Sequence, residues 1–373
     1  MERQLVHIVE SSARHYWFEE LVFVIKRKKI QQSVITLEPR GEIFAVLENE
    51  SIYITGGKQT FRVLKLLIAG LSVRKIDLKP ESLLVLAHGH LASVSALISK
   101  LLFHIDYGIV HHQSPVIFFD SYQRRHPIKG TIHRYLYLQY IKRAKFIQAL
   151  SLEVFNSLVK IGYPKGRIIL LGHGIAINNF TGSVNSDTLQ RTGNSHKATI
   201  LMVGRLSWEK NYFLAFKVIA ELAKKCPELT VIIAGTGPDS DRLMEVKNEL
   251  NLEANIKMVG WQPNISKLML EADLFLHLSL TESYGQVLLE ACLCNLHIFT
   301  FPVGIALDLK EANNPLIHIL NNQSPEDISQ EILAFLSDSE NRLTSKVSAA
   351  LQVHSNGYIH NAMAAYLTAQ CSS

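Results

Sequence analysis

The segment from Glu282 to Glu290, ESYGQVLLE, places two carboxylates on either side of a glycine-containing turn. It follows the apolar run Leu274–His277 and leads into an apolar helical pattern, which predicts a strand, a turn and a helix N-terminus. Such an N-terminus favours anions, because its first N–H groups lack intrahelical partners and the helix dipole adds to them. The backbone of Ser283–Gln286 is therefore a candidate phosphate site, and the flanking carboxylates can accept hydrogen bonds from sugar hydroxyls. Taken alone, the same pattern also fits an ordinary helix N-cap with Glu290 on a solvated face.

A second strand-to-helix loop, in the segment VGRLSWEKN, carries two cations. Arg205 and Lys210 can both reach a diphosphate there, and Gly204 lets the backbone approach it closely. The alternative is a pair of surface charges on an ordinary loop. A third loop, Ala234–Pro238 (AGTGP), also follows an apolar run, but a GxG pattern is weak evidence when it stands alone.

Short apolar or β-branched runs alternate with helical patterns along the chain, which predicts an α/β fold with parallel sheets covered by helices. The stretch 181–196, TGSVNSDTLQRTGNSH, interrupts this alternation and is interpreted as a linker. We therefore expect a Rossmann-like domain over 1–180 and a second one over 197–355, facing each other across a cleft. Ligands of such sheets bind at the carboxyl ends of the strands. Residues 356–373 have a helical pattern.

Composition limits the class of protein. With 373 residues, 47% of them hydrophobic and 19% charged, the chain has the composition of a folded protein of about two domains. Its four cysteines match neither a disulfide framework nor paired zinc knuckles, which favours a reducing cytoplasm. The sequence begins without a signal-peptide pattern and contains no apolar run long enough for a membrane span.

Charge is distributed unevenly along the chain. Residues 1–180 contain 24 Lys and Arg against 13 Asp and Glu, a net +11, whereas the remainder has 14 against 20, a net −6. The basic half, with clusters such as Lys26–Lys29 and Lys142–Lys145, could lie on an anionic membrane surface. Alternatively, the clusters are solvated helix faces, and the apolar run Phe61–Val73 is a helix with a buried stripe at 64, 67, 68 and 71. Nucleic acid is not expected as a partner, because no recognition motif accompanies the charge.

Four segments in a fixed order resemble a known family: GRLSWEKN, IIAGTGP, KMVGWQPN with EADLFLHLS, and ESYGQVLLEA. Together they look like the nucleotide-sugar-binding domain of the retaining GT-B glycosyltransferases of glycosyltransferase family 4, also called glycosyl transferases group 1. The resemblance runs from about residue 199 to 300. In the basic half only residues 150–175 resemble the family.

The resemblance implies roles for individual residues. Arg205 and Lys210 would bind the donor diphosphate and stabilise the departing nucleotide, and Glu282 would contact the transferred sugar. His111 would face that sugar from the other domain, with its neighbour His112 as the alternative. The residues implied for donor binding are Gly204, Ser283, Tyr284, Gly285, Gln286 and Glu290, with Glu290 on the ribose and the loop Met258–Gln262 near the base.

The function that the resemblance implies is retaining transfer of a sugar from a UDP- or GDP-sugar to a glycan or lipid-linked acceptor in polysaccharide or glycolipid biosynthesis. The enzyme would be cytoplasmic or peripheral at the inner face of the membrane, and its C-terminal helix would pack back on the first domain. No metal or other cofactor is expected, since the DxD pattern at Asp239 and Asp241 opens a helix and the pair His88 and His90 has no carboxylate or Cys nearby in sequence.

Two other functions stay open: a nucleotide-sugar epimerase of the GT-B fold, and a non-catalytic GT-B-like partner protein. The non-catalytic function remains because two loops depart from the family. The first, residues 10–16, lacks the paired glycines that are usual there, and the segment 302–308 has one glycine where two are common.

Overall fold

The computed structural model describes residues 4–9, 16–37, 51–54, 62–73, 76, 83–110, 127–173, 198–338 and 356–372. The chain divides into two compact units, one formed by Met1–Gly174 with Asn356–Ser373 and the other by Ile175–Ser355. We call them unit 1 and unit 2. The expected linker 181–196 and the residues His111 and His112 lie outside the described residues.

Unit 1 is built on a seven-stranded parallel sheet with the strand order β3-β2-β1-β4-β5-β6-β7. Its elements are β1 (Gln4–Val9), α1 (Tyr16–Arg27), β2 (Gln32–Thr36), β3 (Ser51–Ile54), α2 (Arg62–Ser72), β4 (Leu83–His88), α3 (His90–Phe103), β5 (Asp106–Val110), α4 (Pro127–Arg143), β6 (Phe146–Ala149), α5 (Leu152–Lys160), β7 (Ile168–Leu170) and α12 (Asn356–Ser372).

Helices cover both faces of this sheet, as the alternation along β4 shows. Leu84 and Leu86 pack in the cluster that contains α1 residues, whereas Val85 and Ala87 belong to the cluster that contains α3 and α4 residues. A strand covered on both faces is expected to be apolar throughout, because neither face meets water.

The core beneath α1 is completed by the last helix described, α12. Its residues Met363, Ala364 and Leu367 are buried together with Leu5 and Leu21. The first and last segments of the chain therefore share one hydrophobic cluster.

Unit 2 is built on a six-stranded parallel sheet with the order β10-β9-β8-β11-β12-β13. Its elements are β8 (Thr199–Val203), α6 (Tyr212–Lys225), β9 (Thr230–Ala234), α7 (Ser240–Glu249), β10 (Ile256–Gly260), α8 (Ser266–Glu271), β11 (Leu274–His277), α9 (Gln286–Leu293), β12 (His297–Thr300), α10 (Ala306–Glu311), β13 (Ile317–Ile319) and α11 (Pro325–Ser337). The buried positions of α6 include Tyr212, Ala215, Phe216, Ile219 and Leu222, the spacing of a helix with one face on the sheet.

The alternation of strands and helices confirms the predicted α/β fold, with one correction on α2. The expected buried stripe is wrong at Leu67 and Leu71, which are 41% and 45% exposed. The face that packs instead contains Ala69 and Gly70, where an added Cβ would lie 2.8 Å from Ile98 of α3. Small residues permit this close helix approach, whereas Leu67 and Leu71 are left exposed.

Among the described residues, no helix combines the length and apolar character needed to cross a bilayer.

Candidate functional site

The carboxyl end of β8 leads into a loop that is held by the loop after β9. Gly204 N–H donates to the Ala234 carbonyl at 3.0 Å, and Leu206 N–H donates to the Thr236 carbonyl at 3.0 Å. A Cβ added to Gly235 would lie 1.9 Å from the Gly204 carbonyl oxygen. The first glycine of the AGTGP segment is therefore required for loop packing, and it fixes the backbone that carries Arg205.

The loop between β11 and α9 is anchored on both sides. Leu280 N–H donates to the Glu209 carbonyl at 2.8 Å, which joins this loop to the one after β8. On the other side, Ile305 N–H donates to the Tyr284 carbonyl at 2.7 Å. Gly285 precedes α9 with a left-handed φ of 79°, a conformation that favours glycine. These contacts bring Lys210 and Glu282 together although 72 positions separate them.

Lys210, Glu282 and His277 form a partly buried polar cluster. One carboxylate oxygen of Glu282, Oε1, accepts hydrogen bonds from Lys210 Nζ and from His277 Nε2, the latter at 2.9 Å. The side chains are 19% exposed in Lys210, 12% in Glu282 and 3% in His277. His277 was not among the predicted site residues. The available signal was a polar residue that ends an otherwise apolar strand five positions before Glu282.

The cluster fixes the ionisation of its members at neutral pH. Burial alone would raise the pKa of Glu282, but the hydrogen bond from His277 and the charge of Lys210 outweigh it and lower this pKa to about 2. Burial lowers the pKa of His277, against the opposing effect of Glu282. We therefore assign an ionised Glu282 and a neutral His277 whose Nε2–H donates to it, the tautomer being inferred from this contact.

Beside this cluster, a cavity of about 860 Å³ opens at the carboxyl edge of the unit 2 sheet. Its lining comes from three loops and from α9: Val203–Arg205, Ala234–Thr236, Trp261–Ser266, Gln286 and Glu290. The Arg205 side chain is exposed and forms no ion pair with any carboxylate in the described part of the chain. Its charge is therefore available to an anion.

Glu290 lies in the wall of the cavity. Burial raises the pKa of its carboxyl to about 7, although the hydrogen bond from Gln286 Nε2, at 3.3 Å, opposes the shift. The carboxyl therefore titrates closer to neutral pH than a solvated glutamate does. A ligand hydroxyl that donates to the carboxylate would favour the ionised form.

The other predicted donor-binding residues differ in whether they line the cavity. Gly204 and Gln286 line the cavity with Arg205 and Glu290, whereas Ser283, Tyr284 and Gly285 are not in its lining. The Tyr284 side chain is buried, and burial raises the pKa of its hydroxyl.

Trp261 and Gln262, from the loop expected near the base, do line the cavity. Sequence reasoning did not place the following residues Pro263–Ser266 at the site, although Pro263 and Asn264 end the segment KMVGWQPN.

No metal centre is visible in the described ranges, where no three His, Cys, Asp or Glu side chains come together. Asp239 precedes α7 and Asp241 lies in its first turn.

Comparison with known proteins finds a family match over part of the chain. Residues 187–349 match the family described as "Glycosyl transferases group 1". The GPI3 subunit of phosphatidylinositol N-acetylglucosaminyltransferase from Saccharomyces cerevisiae is 26% identical over 151 residues, 40% of this chain and 33% of that protein. An Arabidopsis thaliana subunit of the same enzyme is 25% identical over 272 residues, 68% of this chain and 57% of that protein. The chain thus matches about one third to just over half the length of these relatives.

The fold extends the likeness to both units. The crystal structure of Anabaena HepE in complex with UDP and glucose superposes with a TM-score of 0.74 and 20% sequence identity, covering 98% of this chain and all of that one. The architecture is GT-B, with two Rossmann-like domains, as the sequence predicted.

Proposed function

We propose that the protein is a retaining glycosyltransferase that transfers a sugar from a UDP- or GDP-sugar to a glycan or lipid-linked acceptor. One observation carries the proposal. Arg205, which forms no ion pair among the described residues, and the Lys210–Glu282–His277 cluster lie on adjoining loops at one edge of the sheet. The family match over residues 187–349 and the GT-B fold support the same conclusion.

The chemistry follows from where charge develops. Breaking the bond between sugar and diphosphate leaves negative charge on the departing nucleotide. Arg205 offers a guanidinium fork to the phosphate oxygens, and Lys210 offers an ammonium that Glu282 holds at the loop. Positive charge that is already in place stabilises the transition state more than the ground state, because the charge on the diphosphate grows as the bond breaks.

The carboxylates would act on hydroxyl groups. Glu290 lines the cavity and is the proposed acceptor for the ribose, while Trp261 offers an exposed aromatic face beside it for the base. Glu282 is the proposed contact for the transferred sugar. His111, outside the described residues, remains the proposed partner of that sugar from unit 1.

Thermal stabilisation by UDP, GDP and their sugar conjugates tests donor binding, since a ligand that binds only the folded state raises the melting temperature. We expect one base to be preferred and Arg205→Ala to abolish the shift. Lys217→Ala, which removes an exposed lysine on α6, is the matched control for the loss of one positive charge and should retain the shift. No shift with any nucleotide would contradict the proposal.

Turnover separates the proposed transferase from an epimerase. Without acceptor, a transferase releases at most a little free sugar, whereas an epimerase interconverts two nucleotide sugars. Product analysis of the donor incubated alone therefore distinguishes the two functions. Lys210→Ala should lose transfer to added acceptor while its fold is preserved.

We also propose that unit 1 contacts an anionic membrane surface through α4, at the cytoplasmic face. The exposed side of this helix carries Ile128, Ile132 and Tyr135, which are 79%, 55% and 62% exposed. Its 17 residues include two lysines and two arginines and no acidic residue. Apolar side chains among cations favour the interface of a bilayer with anionic lipids.

Co-sedimentation with vesicles tests the membrane contact. We expect binding to phosphatidylglycerol-containing vesicles but not to pure phosphatidylcholine, and a loss of binding in Ile128→Ser/Ile132→Ser. Leu101→Ser/Leu102→Ser is the matched control, because these residues are similarly exposed, at 58% and 55%, but lie in the last turn of α3 and not on α4. Equal losses in both double variants would contradict a specific role for α4.

A further inference from the structure

His277 lies beside the proposed sugar contact and is held in place. Its ring ends β11 and stacks on Phe275, with ring centroids 5.7 Å apart and an interplanar angle of 23°. The side chain is 3% exposed. Both features leave the imidazole little room to move.

Glu282 uses its two oxygens unequally. Oε1 accepts from both Lys210 Nζ and His277 Nε2, and within the described part of the chain Oε2 accepts no hydrogen bond. An ionised carboxylate can accept several hydrogen bonds, so Oε2 has its full capacity left for a ligand hydroxyl.

The two donors to Oε1 differ in mobility. Lys210 sits in the one-turn helix Trp208–Lys210, and its ammonium ends a flexible four-carbon stem. A diphosphate would compete with Glu282 for this ammonium, because the diphosphate of a nucleotide sugar carries two negative charges and the carboxylate carries one. His277 is neutral and buried, and it has no comparable attraction to the diphosphate.

We propose that His277 is a positioning residue that holds Oε1 of Glu282 when Lys210 turns to the donor diphosphate, so that Oε2 remains directed to a hydroxyl of the transferred sugar. This inference rests on the proposed function. It predicts that His277 affects recognition of the sugar and not of the nucleotide.

The test compares the affinity for a nucleotide sugar with that for the nucleotide alone, measured by calorimetry with UDP and UDP-glucose and with GDP and GDP-mannose. His277→Leu should reduce the preference for the sugar conjugate about tenfold, the effect of losing a hydrogen bond to a charged group, and should leave nucleotide affinity unchanged. His277→Gln, whose amide can donate from nearly the same place, should restore most of the preference.

Two controls separate positioning from a general loss of structure. His297→Leu removes a buried histidine at the amino end of the neighbouring strand β12, where it contacts His318 at 3.0 Å, and should not change the preference. In a Glu282→Gln background, His277→Leu should have little further effect, because the group that it positions is already altered.

The possible results distinguish failure of the proposed function from failure of the positioning role of His277. If wild-type protein binds none of the four ligands, the proposed function itself fails. If it binds a nucleotide sugar and folded His277→Leu keeps the full preference, or loses nucleotide affinity to the same extent, the positioning role is refuted while the proposed function stands.

Discussion

Glu282→Gln should destabilise unit 2 in a pH-dependent way. The pKa of the carboxyl falls from its usual 4.5 to about 2 in the folded protein. Each pH unit of such a displacement is worth about 1.4 kcal/mol, so the ionised carboxylate contributes about 3 kcal/mol to the free energy of unfolding. Glutamine keeps the shape of the side chain but cannot carry the charge. The substitution also leaves the ammonium of Lys210 partly buried without its counterion.

The sign of the pH dependence follows from the lowered pKa. The contribution of the Glu282 carboxylate to the free energy of unfolding is fully present above about pH 4.5. It is lost as the pH falls towards 2, because the carboxylate then binds a proton in the folded state as well. At pH 7 a loss of about 3 kcal/mol corresponds to a melting temperature lower by roughly 6–12 °C for a unit of this size. The difference between wild type and variant should shrink markedly between pH 5 and pH 3.

Intrinsic fluorescence during a thermal scan is a suitable assay, because Trp208 and Trp261 both lie in unit 2. Glu253→Gln, at an exposed position of the same unit, is the matched control and should leave the melting temperature unchanged. A shift below about 2 °C for Glu282→Gln at pH 7, or a difference that stays constant from pH 5 to pH 3, would refute the assignment of Glu282 as a strongly stabilised carboxylate.

Three further perturbations test other parts of the structure. Gly235→Ala would place a Cβ 1.9 Å from the Gly204 carbonyl oxygen and displace the loop after β8. Nucleotide affinity, measured by calorimetry, should therefore fall at least about tenfold. The control Gly166→Ala, whose added Cβ would have no atom within 4 Å, should leave this affinity unchanged. Because the pKa of Glu290 is raised to about 7, affinity for a nucleotide sugar should increase from pH 6 to pH 8, and Glu290→Gln should make it pH-independent. Leu367→Ala removes a fully buried side chain from the α12 contact and should destabilise unit 1 by about 2–5 kcal/mol, seen as faster amide hydrogen exchange in unit 1 but not in unit 2.

The strand-to-helix loops of unit 2 could be predicted because their signals are local. An apolar run followed by glycine and a helical pattern shows where a parallel strand ends. Arg205 lies two positions after the end of β8, and Gln286 and Glu290 lie in the helix that follows β11. These residues line one cavity, since the carboxyl ends of parallel strands meet at one edge of the sheet.

What could not be predicted depends on contacts between distant segments. The ion pair of Lys210 with Glu282 joins two loops 72 positions apart, and the role of His277 depends on the direction of one buried ring. On α2, apolar spacing suggested that Leu67 would be buried. The packing face was instead decided by the close approach of Gly70 to Ile98, which periodicity does not encode.

The shared cluster of α1 and α12 has a consequence for biosynthesis. Leu5 and Leu21 are translated before unit 2, but their partners Met363 and Leu367 are translated only after all of unit 2. At about 5–20 residues per second, synthesis of the roughly 340 residues between Leu21 and Met363 takes about 17–70 s. For that time the apolar side of α1 lacks its cover and is a surface that a chaperone can bind. Unit 2, whose segments are contiguous, can complete its core first, so the order of folding would be the reverse of the order of synthesis.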